Sequence, residues 1–412
     1  MKHAVWFLMY CSILLNAAHA AVIAVGKGVQ HSTIKAALAA AGSGDTVLVH
    51  SGTYKEGNLV IDKPLALIGV GRPILDGELK YEIISVKSSH VLIKGLHLQN
   101  CGRMVMSDPG AIKAYDVEYV VVEDNTLLNN YFGVYFQYSK HCIVKNNRIT
   151  ASQKVESQSA NGVHLWKCDS MQIIGNKVHG HRDGIYLEFV TASVVWRNVA
   201  HYNLRYGLHF MFSHSCAYIT NYFKQNGAGV AVMFTKRVIM INNTFEESWG
   251  DAAYGVLFKE LSDCYLSGNK FYKNTTGIFF DGTNRITAEH NVFKGNGWGM
   301  RIQANCVDNK VERNNFVGNT FDITTNGTLT LNHFSENYWD KYEGYDLNKD
   351  KIGDVPYRPL SLYSVIVEKN PPAMLLYRSF MISLLDKSER ILPSLTPENF
   401  IDNKPRMVPY TL

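Results

Sequence analysis

One spacing constrains this chain more than any other feature. An asparagine followed two residues later by an apolar side chain recurs at Asn125, Asn147, Asn176, Asn198, Asn221, Asn243, Asn269, Asn291 and Asn314, in steps of 22, 29, 22, 23, 22, 26, 22 and 23 residues. A small residue keeps the same beat at Gly133, Gly162, Gly184, Gly207, Gly229, Gly255, Gly277 and Gly299, then gives way to Asp322. A period near 22 residues, built of short alternating runs and turns, is what a solenoid imposes on its sequence. Leucine-rich repeats share that period, but their leucine framework is missing. The runs are rich in Val, Ile, Phe and Tyr, which favours strands over helices. The beat therefore predicts an all-β chain, a right-handed parallel β-helix over residues 21–330. With coils ~4.8 Å apart, eleven or twelve of them make a rod about 50–60 Å long.

Alternation after each glycine assigns the two sides of the strand. The pairs Val163/Leu165, Ile185/Leu187, Leu208/Phe210, Val230/Val232, Val256/Phe258 and Ile278/Phe280 are uniformly apolar and should face the core. Two residues beyond the later ladder asparagines come Phe223, Phe245, Phe271, Phe293 and Phe316, which should stack coil upon coil. The asparagines themselves should form an amide ladder at one turn, satisfying one another where water is excluded. Cys142, Cys216 and Cys264 each lie five residues before a ladder asparagine, on coils that are not neighbours. They read as small core residues and not as disulfide partners.

Composition removes other classes. With 46% hydrophobic and 19% charged residues the chain is too apolar to be disordered. A net charge of +5 with no block of like charges carries no nucleic-acid signal. Lys2 and His3, the apolar run Ala4 to Leu15 and the small-x-small site Ala18-His19-Ala20 mark residues 1–20 as a cleaved export signal. Beyond it, Ser32 is placed to N-cap a short helix from Thr33 to Ala41 that covers the first coil. Two overlong coils, Arg103 to Asp108 and Ser152 to Asn161, should protrude as contact loops. The beat stops after residue 330. In the remaining tail, residues 331–412, Asn370-Pro371-Pro372 opens an amphipathic stretch from Ala373 to Leu392. That stretch and the segment Ile401 to Leu412 should cap the solenoid and dock a partner.

Chemistry should sit on outward positions, because the inward ones are committed to packing. Two and four residues after the glycines stand His164 and Trp166, Tyr186 and Glu188, His209 and Met211, Ala231 and Met233. Imidazole and thioether together suit a soft ion such as Cu(I), so His164, His209, Met211 and Met233 are candidate copper ligands. Ala231 interrupts any purely linear ladder of ligands. A carbohydrate groove is the competing use of the same face, with Arg182, Asp183, Glu188, Asp281 and Arg301 as its polar groups; it needs an acid and a base within reach of one sugar. Asp183 and Asp281 adjoin turns, which favours a turn role for both. In the tail, Asp346, Asn348, Asp350, Ile352 and Asp354 offer oxygen ligands at alternate positions, like the start of a calcium loop. Tyr357 stands where such a loop needs its glutamate, and an Asx-rich turn without metal fits the same residues.

Particular strings then carry a resemblance. Gly44-Asp45-Thr46-Val47, Gly52-Thr53-Tyr54 and Ile61-Asp62-Lys63-Pro64-Leu65 resemble the opening of periplasmic copper-binding β-helix proteins. More specific are Asp183-Gly184-Ile185-Tyr186-Leu187-Glu188, Tyr206-Gly207-Leu208-His209-Phe210-Met211 and Asn296-Gly297-Trp298. The tail adds Asn337-Tyr338-Trp339-Asp340, Gly353-Asp354-Val355-Pro356-Tyr357-Arg358-Pro359 and Asn370-Pro371-Pro372-Ala373. Together they resemble the NosD family over essentially the whole mature chain. The resemblance implies a periplasmic accessory protein without enzymatic activity, serving the maturation of nitrous oxide reductase in denitrification. Its implied partners are an ABC-type permease with its ATPase, a copper-chaperone lipoprotein and the reductase, and its implied cargo is copper. Only His209 and Met211 fall within a matching string; His164 and Met233 rest on the face argument. A secreted polysaccharide lyase or epimerase is the alternative.

Overall fold

The computed structural model describes residues 20–103, 108–327, 331–391 and 400–412. The export signal, apart from Ala20, lies outside the described residues, as does the Met104–Ser107 part of the first overlong coil. The chain winds as a right-handed parallel β-helix of about 14 turns with ~23 residues per coil. Its strands form three parallel sheets of 14, 13 and 12 strands. The first sheet runs from Val22–Val25 to Leu331–Ser335, the second from Thr53–Tyr54 to Tyr338–Trp339, and the third from Leu59–Ile61 to Phe321–Thr324. Eleven or twelve coils was too few, because the coils before Asn125 lack the asparagine that marks the others. The last coil also runs on beyond residue 330, to Trp339.

The ladder asparagines hold the corner between the first and second sheets. Each follows a residue in the left-handed region, such as Arg197 (φ 54°) before Asn198 or Thr220 (φ 54°) before Asn221. A left-handed residue at every coil is unfavourable by roughly 1–2 kcal/mol each, so the corner needs compensation. Asn198 supplies it by donating both its backbone N–H (2.9 Å) and Nδ2 (3.1 Å) to Asn221 Oδ1, with Nδ2 also reaching Ile173 O (2.8 Å). The pattern repeats from Asn125 to Asn314 and continues to Asn337. There it ends on a residue from far along the chain: Asp402 Oδ2 accepts from Asn337 N (3.0 Å), Asn337 Nδ2 (3.1 Å) and Trp339 Nε1 (3.1 Å).

A second amide ladder runs at another corner. Asn203 donates to Asn226 (2.9 Å), and Asn274, Asn296 and Asn319 continue it. It stops on Asp322 Oδ1 (3.2 Å), whose other oxygen lies 3.2 Å from Lys341 Nζ. Asp322 replaces the beat's glycine and terminates this ladder as Asp402 terminates the first. Inside, the aromatic column is continuous: ring centroids from Phe223 through Phe245, Phe271, Phe293 and Phe316 to Trp339 are 5.5, 4.9, 4.8, 4.7 and 4.3 Å apart. Cys101, Cys142, Cys168, Cys216, Cys264 and Cys306 are all free and buried.

Both ends are covered. Helix α1 spans Ile34–Ala40, and Thr33 rather than Ser32 is its N-cap, its side chain accepting from the Ala36 N–H (3.3 Å). The Glu56 carboxylate takes two further N–H groups, from Ile34 (2.8 Å) and Lys35 (2.9 Å). At the other end the amphipathic stretch is divided. Helix α2 (Leu362–Lys369), absent from the sequence reading, packs on Phe321–Thr324 and is tied down by Arg301 to Glu368 (2.7 Å). A short 3₁₀ segment, Pro371–Leu376, and helix α3 (Phe380–Ile391) follow. Phe400 is buried and Asp402 closes the ladder. The Ile401–Leu412 segment is therefore part of the cap. Among the described residues no helix is long and apolar enough to cross a membrane.

Candidate metal centre on the third sheet

The strands Val163–Trp166, Asp183–Glu188, Tyr206–Met211 and Ala228–Met233 lie side by side in the third sheet. Their register puts Tyr135, His164, Tyr186 and His209 in one outward column. Successive ring centroids are 4.5, 4.7 and 4.6 Å apart. This column is not the open patch expected from alternation: His164, Tyr186 and His209 are 8%, 9% and 6% exposed. The spacing between coils is close to the stacking distance of flat rings, so each ring shields the next. The neighbouring outward column, Trp166, Glu188, Met211 and Met233, is half-buried. Met211 and Met233 are register partners on adjacent coils, and His209 lies two residues before Met211 on the same strand. These three are neighbours in the register of one face. His164 is not, since the Tyr186 strand separates it from His209.

The two histidines also differ in their hydrogen bonds. Asp183 is fully buried, and Arg205 donates to it through Nε (2.8 Å) and Nη2. Burial by itself pushes this carboxyl up, but the Arg205 guanidinium and His209 outweigh it and hold it below the usual carboxylate range. His209 Nδ1 is 3.6 Å from Asp183 Oδ2. Arg205 Nη2 also reaches the same nitrogen (3.5 Å), so His209 Nδ1 lies between a guanidinium donor and a carboxylate acceptor. His209 Nε2, like His164 Nε2, is buried and has no hydrogen-bond partner; a proton on Nδ1 facing Asp183 is the tautomer that leaves the His209 lone pair on Nε2. At His164 an amide takes the place of the charged pair. Arg182 donates to Asn161 Oδ1 (3.3 Å), which turns Asn161 Nδ2 to donate to His164 Nδ1 (3.2 Å) and puts the His164 proton on Nε2. Burial, with Arg182 nearby, pushes the His164 pKa down to about 3. Beside them the Tyr186 hydroxyl donates to Met211 Sδ (3.7 Å).

The other candidate groups are engaged elsewhere. Asp281 accepts from Asn305 Nδ2 (2.9 Å) and Arg301 pairs with Glu368, while Asp183, beside His209, is fully buried and held by Arg205. Glu188 is half-buried in the Met211 column. In the tail, Asp346 accepts from the Asp350 (3.2 Å) and Lys351 (2.8 Å) N–H groups, Asp350 from Ile352 (2.8 Å) and Asp354 from Leu347 (2.7 Å). That is an Asx-turn network. Among the described residues no three His, Cys, Asp or Glu side chains gather as a metal cluster. The sequence reading missed the Asp183–Arg205 pair. Its signal was present, since Arg205 follows Asp183 by 22 residues, one coil. The Ser152–Asn161 loop is half as expected: Glu156–Gln158 is an exposed 3₁₀ turn, but Ala160 packs on Phe132 and Tyr135 at the head of the ring column.

Comparison with known proteins bears on the family. Residues 151–344 match the family model described as periplasmic copper-binding protein (NosD), and residues 76–158 match the right handed beta helix region. A protein of Pseudomonas aeruginosa named "Probable ABC transporter binding protein NosD" is 29% identical over 372 residues, covering 85% of this chain and 86% of that protein. A protein of the same name from Stutzerimonas stutzeri is 25% identical, covering 87% of this chain and 85% of its own length. Both relatives are named as binding proteins, not as enzymes. Among solved structures, the catalytic unit of a GH87 α-1,3-glucanase from Streptomyces thermodiastaticus superposes with a TM-score of 0.59 at 14% identity, covering 74% of this chain and 65% of that one. A family 28 exopolygalacturonase from Yersinia enterocolitica gives 0.50 at 12% identity, covering 78% of each chain. At those identities the two enzymes share the fold alone. The family model that residues 151–344 match and the two relatives aligned over most of the chain carry the same family name, NosD.

Proposed function

We propose that this chain is a periplasmic accessory protein that takes up and hands on Cu(I) for the copper centres of nitrous oxide reductase, with no catalytic step of its own. What supports the reading is that His209, whose Nε2 is buried and without a hydrogen-bond partner, shares one face of the sheet with the register-paired Met211 and Met233. Cu(I) is a soft ion, and imidazole with thioether is a donor set that suits it. Three neutral ligands leave the ion its positive charge, and the Asp183 carboxylate behind His209 offsets that charge in a poorly hydrated setting. Few, neutral donors fit a cargo held in transit. His164 stands outside the set, because its lone pair is occupied by Asn161. The relatives' names support a place beside an ABC-type transporter, and the proposed partners are its permease and ATPase, a copper-chaperone lipoprotein and the reductase. The committed state of Asp183, Asp281 and Arg301 speaks against the carbohydrate reading. The loop from Asp346 to Asp354 acts as a turn that shapes the tail, not as a calcium site.

The test is titration of the purified protein with Cu(I) against a competing chelator. The double variant Met211→Ala/Met233→Ala should weaken binding about tenfold or more, and Asp183→Asn should weaken it by ~10-fold through His209. His164→Ala should leave it unchanged. Normal affinity in the methionine variant rejects the site.

A further inference from the structure

We infer that the C-terminal helical cap carries an interfacial surface that rests on an anionic lipid bilayer. Helix α3 is apolar on two sides, and the fold uses only one. Ile382 and Leu385 turn inward to a small cluster with Phe321, Tyr363, Val367 and Ala373, and on the same side Glu389 accepts the Leu362 N–H (3.1 Å). The opposite side projects Phe380, 84% exposed, and Leu384, 50% exposed. Leu375 at 90%, with Leu376, Met381 and Tyr377, extends this surface into the preceding 3₁₀ segment. Large apolar side chains this exposed are unusual on a water-facing helix.

Shape and charge select the occupant. Leu376, Met381 and Leu384 flank a shallow apolar groove beside Ile366 and Leu385, while Leu375 and Phe380 stand outside it and project into solvent, as side chains that insert into a headgroup layer do. Exposed cations border them: Lys369, Arg378 and Lys387, with the Arg378 guanidinium 5.4 Å from the centre of the Tyr377 ring. Of the nearby acids, Glu368 is tied to Arg301 and Glu389 faces the Leu362 backbone. Projecting Phe and Leu with lysine and arginine beside them, on a helix of 12 residues, is the pattern that lies in a headgroup layer without spanning it. This surface is remote from the metal residues and does not depend on copper.

Flotation of the purified full chain with phosphatidylcholine vesicles, with and without phosphatidylglycerol, tests the inference. The native chain should float with the phosphatidylglycerol vesicles. Phe380→Asp/Leu384→Asp should lower the bound fraction more than tenfold, and Arg378→Ala and Lys387→Ala should lower it about fivefold each. Both apolar positions face solvent, so melting should be unchanged. Independently, Phe380→Cys carrying an environment-sensitive dye should shift to the blue on phosphatidylglycerol vesicles, since the six native cysteines outside the leader are buried. Failure of the native chain to float, or equal flotation of the Phe380→Asp/Leu384→Asp variant, overturns the inference. If the native chain does not float but the variant loses a copurifying permease, the face docks protein and the lipid assignment is wrong.

Discussion

Replacing Asp402 by alanine removes the acceptor on which a ladder of ten asparagines, from Asn125 to Asn337, terminates. Asp402 Oδ2 accepts three donors, Asn337 N, Asn337 Nδ2 and Trp339 Nε1, at 3.0, 3.1 and 3.1 Å, and Asn337 and Trp339 are 0% and 1% exposed. A buried donor left without a partner costs ~1–3 kcal/mol. Three donors, with some relaxation and water entry at the chain end, give a loss of about 3–5 kcal/mol. Asp402→Asn keeps an oxygen for the same donors but sets an NH₂ group against the Lys404 N–H, which now reaches Oδ1 at 3.0 Å; its loss should be ~1 kcal/mol. The pH dependence separates the two. Burial raises the Asp402 pKa above 3.8. Its stabilising contribution is then complete below the unfolded pKa and declines as pH rises through the folded value. The stability difference should accordingly move in favour of Asp402→Asn as pH increases from about 4. Urea unfolding followed by tryptophan fluorescence, with hydrogen exchange of the last coils, measures this. Asp402→Ala within 1 kcal/mol of the native protein, or a pH-independent difference for Asp402→Asn, refutes the role of Asp402 as the ladder's terminus.

The remaining predictions concern the core, the tail loop and the metal residues. Phe271→Ala opens the ring column between neighbours at 4.9 and 4.8 Å and should cost ~3–5 kcal/mol in urea unfolding; a loss below 1 kcal/mol means the column closes over the gap. Millimolar calcium should leave the melting temperature unchanged, because the Asp346–Asp354 carboxylates already accept the loop's own N–H groups; a rise restores the calcium loop. His209→Ala/Met211→Ala should reduce copper loading of the reductase in cells while the protein is exported and folded, and normal loading assigns these residues to packing.

The repeat was legible because each coil requires the same chemistry at its corner, and only asparagine satisfies a backbone N–H, its own amide and the next coil at once. The second ladder was harder to see. His181 and Ser248 interrupt it, so its spacing never forms a run as long as the first. Alternation told which side His164 and His209 occupy, but it carries no information on shielding, and stacking with Tyr135 and Tyr186 closed a face that looked open. Tautomers were also out of reach. Asn161 and Asp183 precede His164 and His209 by unequal distances, and only the folded coils show which nitrogen each one engages. Asp402 lies 65 residues from Asn337 with no beat between them, so a cap was expected of the tail but the residue that closes the ladder had no sequence signature.

The copper assignment is tested most directly by X-ray absorption at the copper edge of the Cu(I)-loaded protein beside its Met211→Ala/Met233→Ala variant. The account predicts a mixed sulfur and nitrogen shell in the native protein, with the sulfur component lost in the variant. A shell of nitrogen and oxygen alone, or sulfur that survives both substitutions, contradicts it.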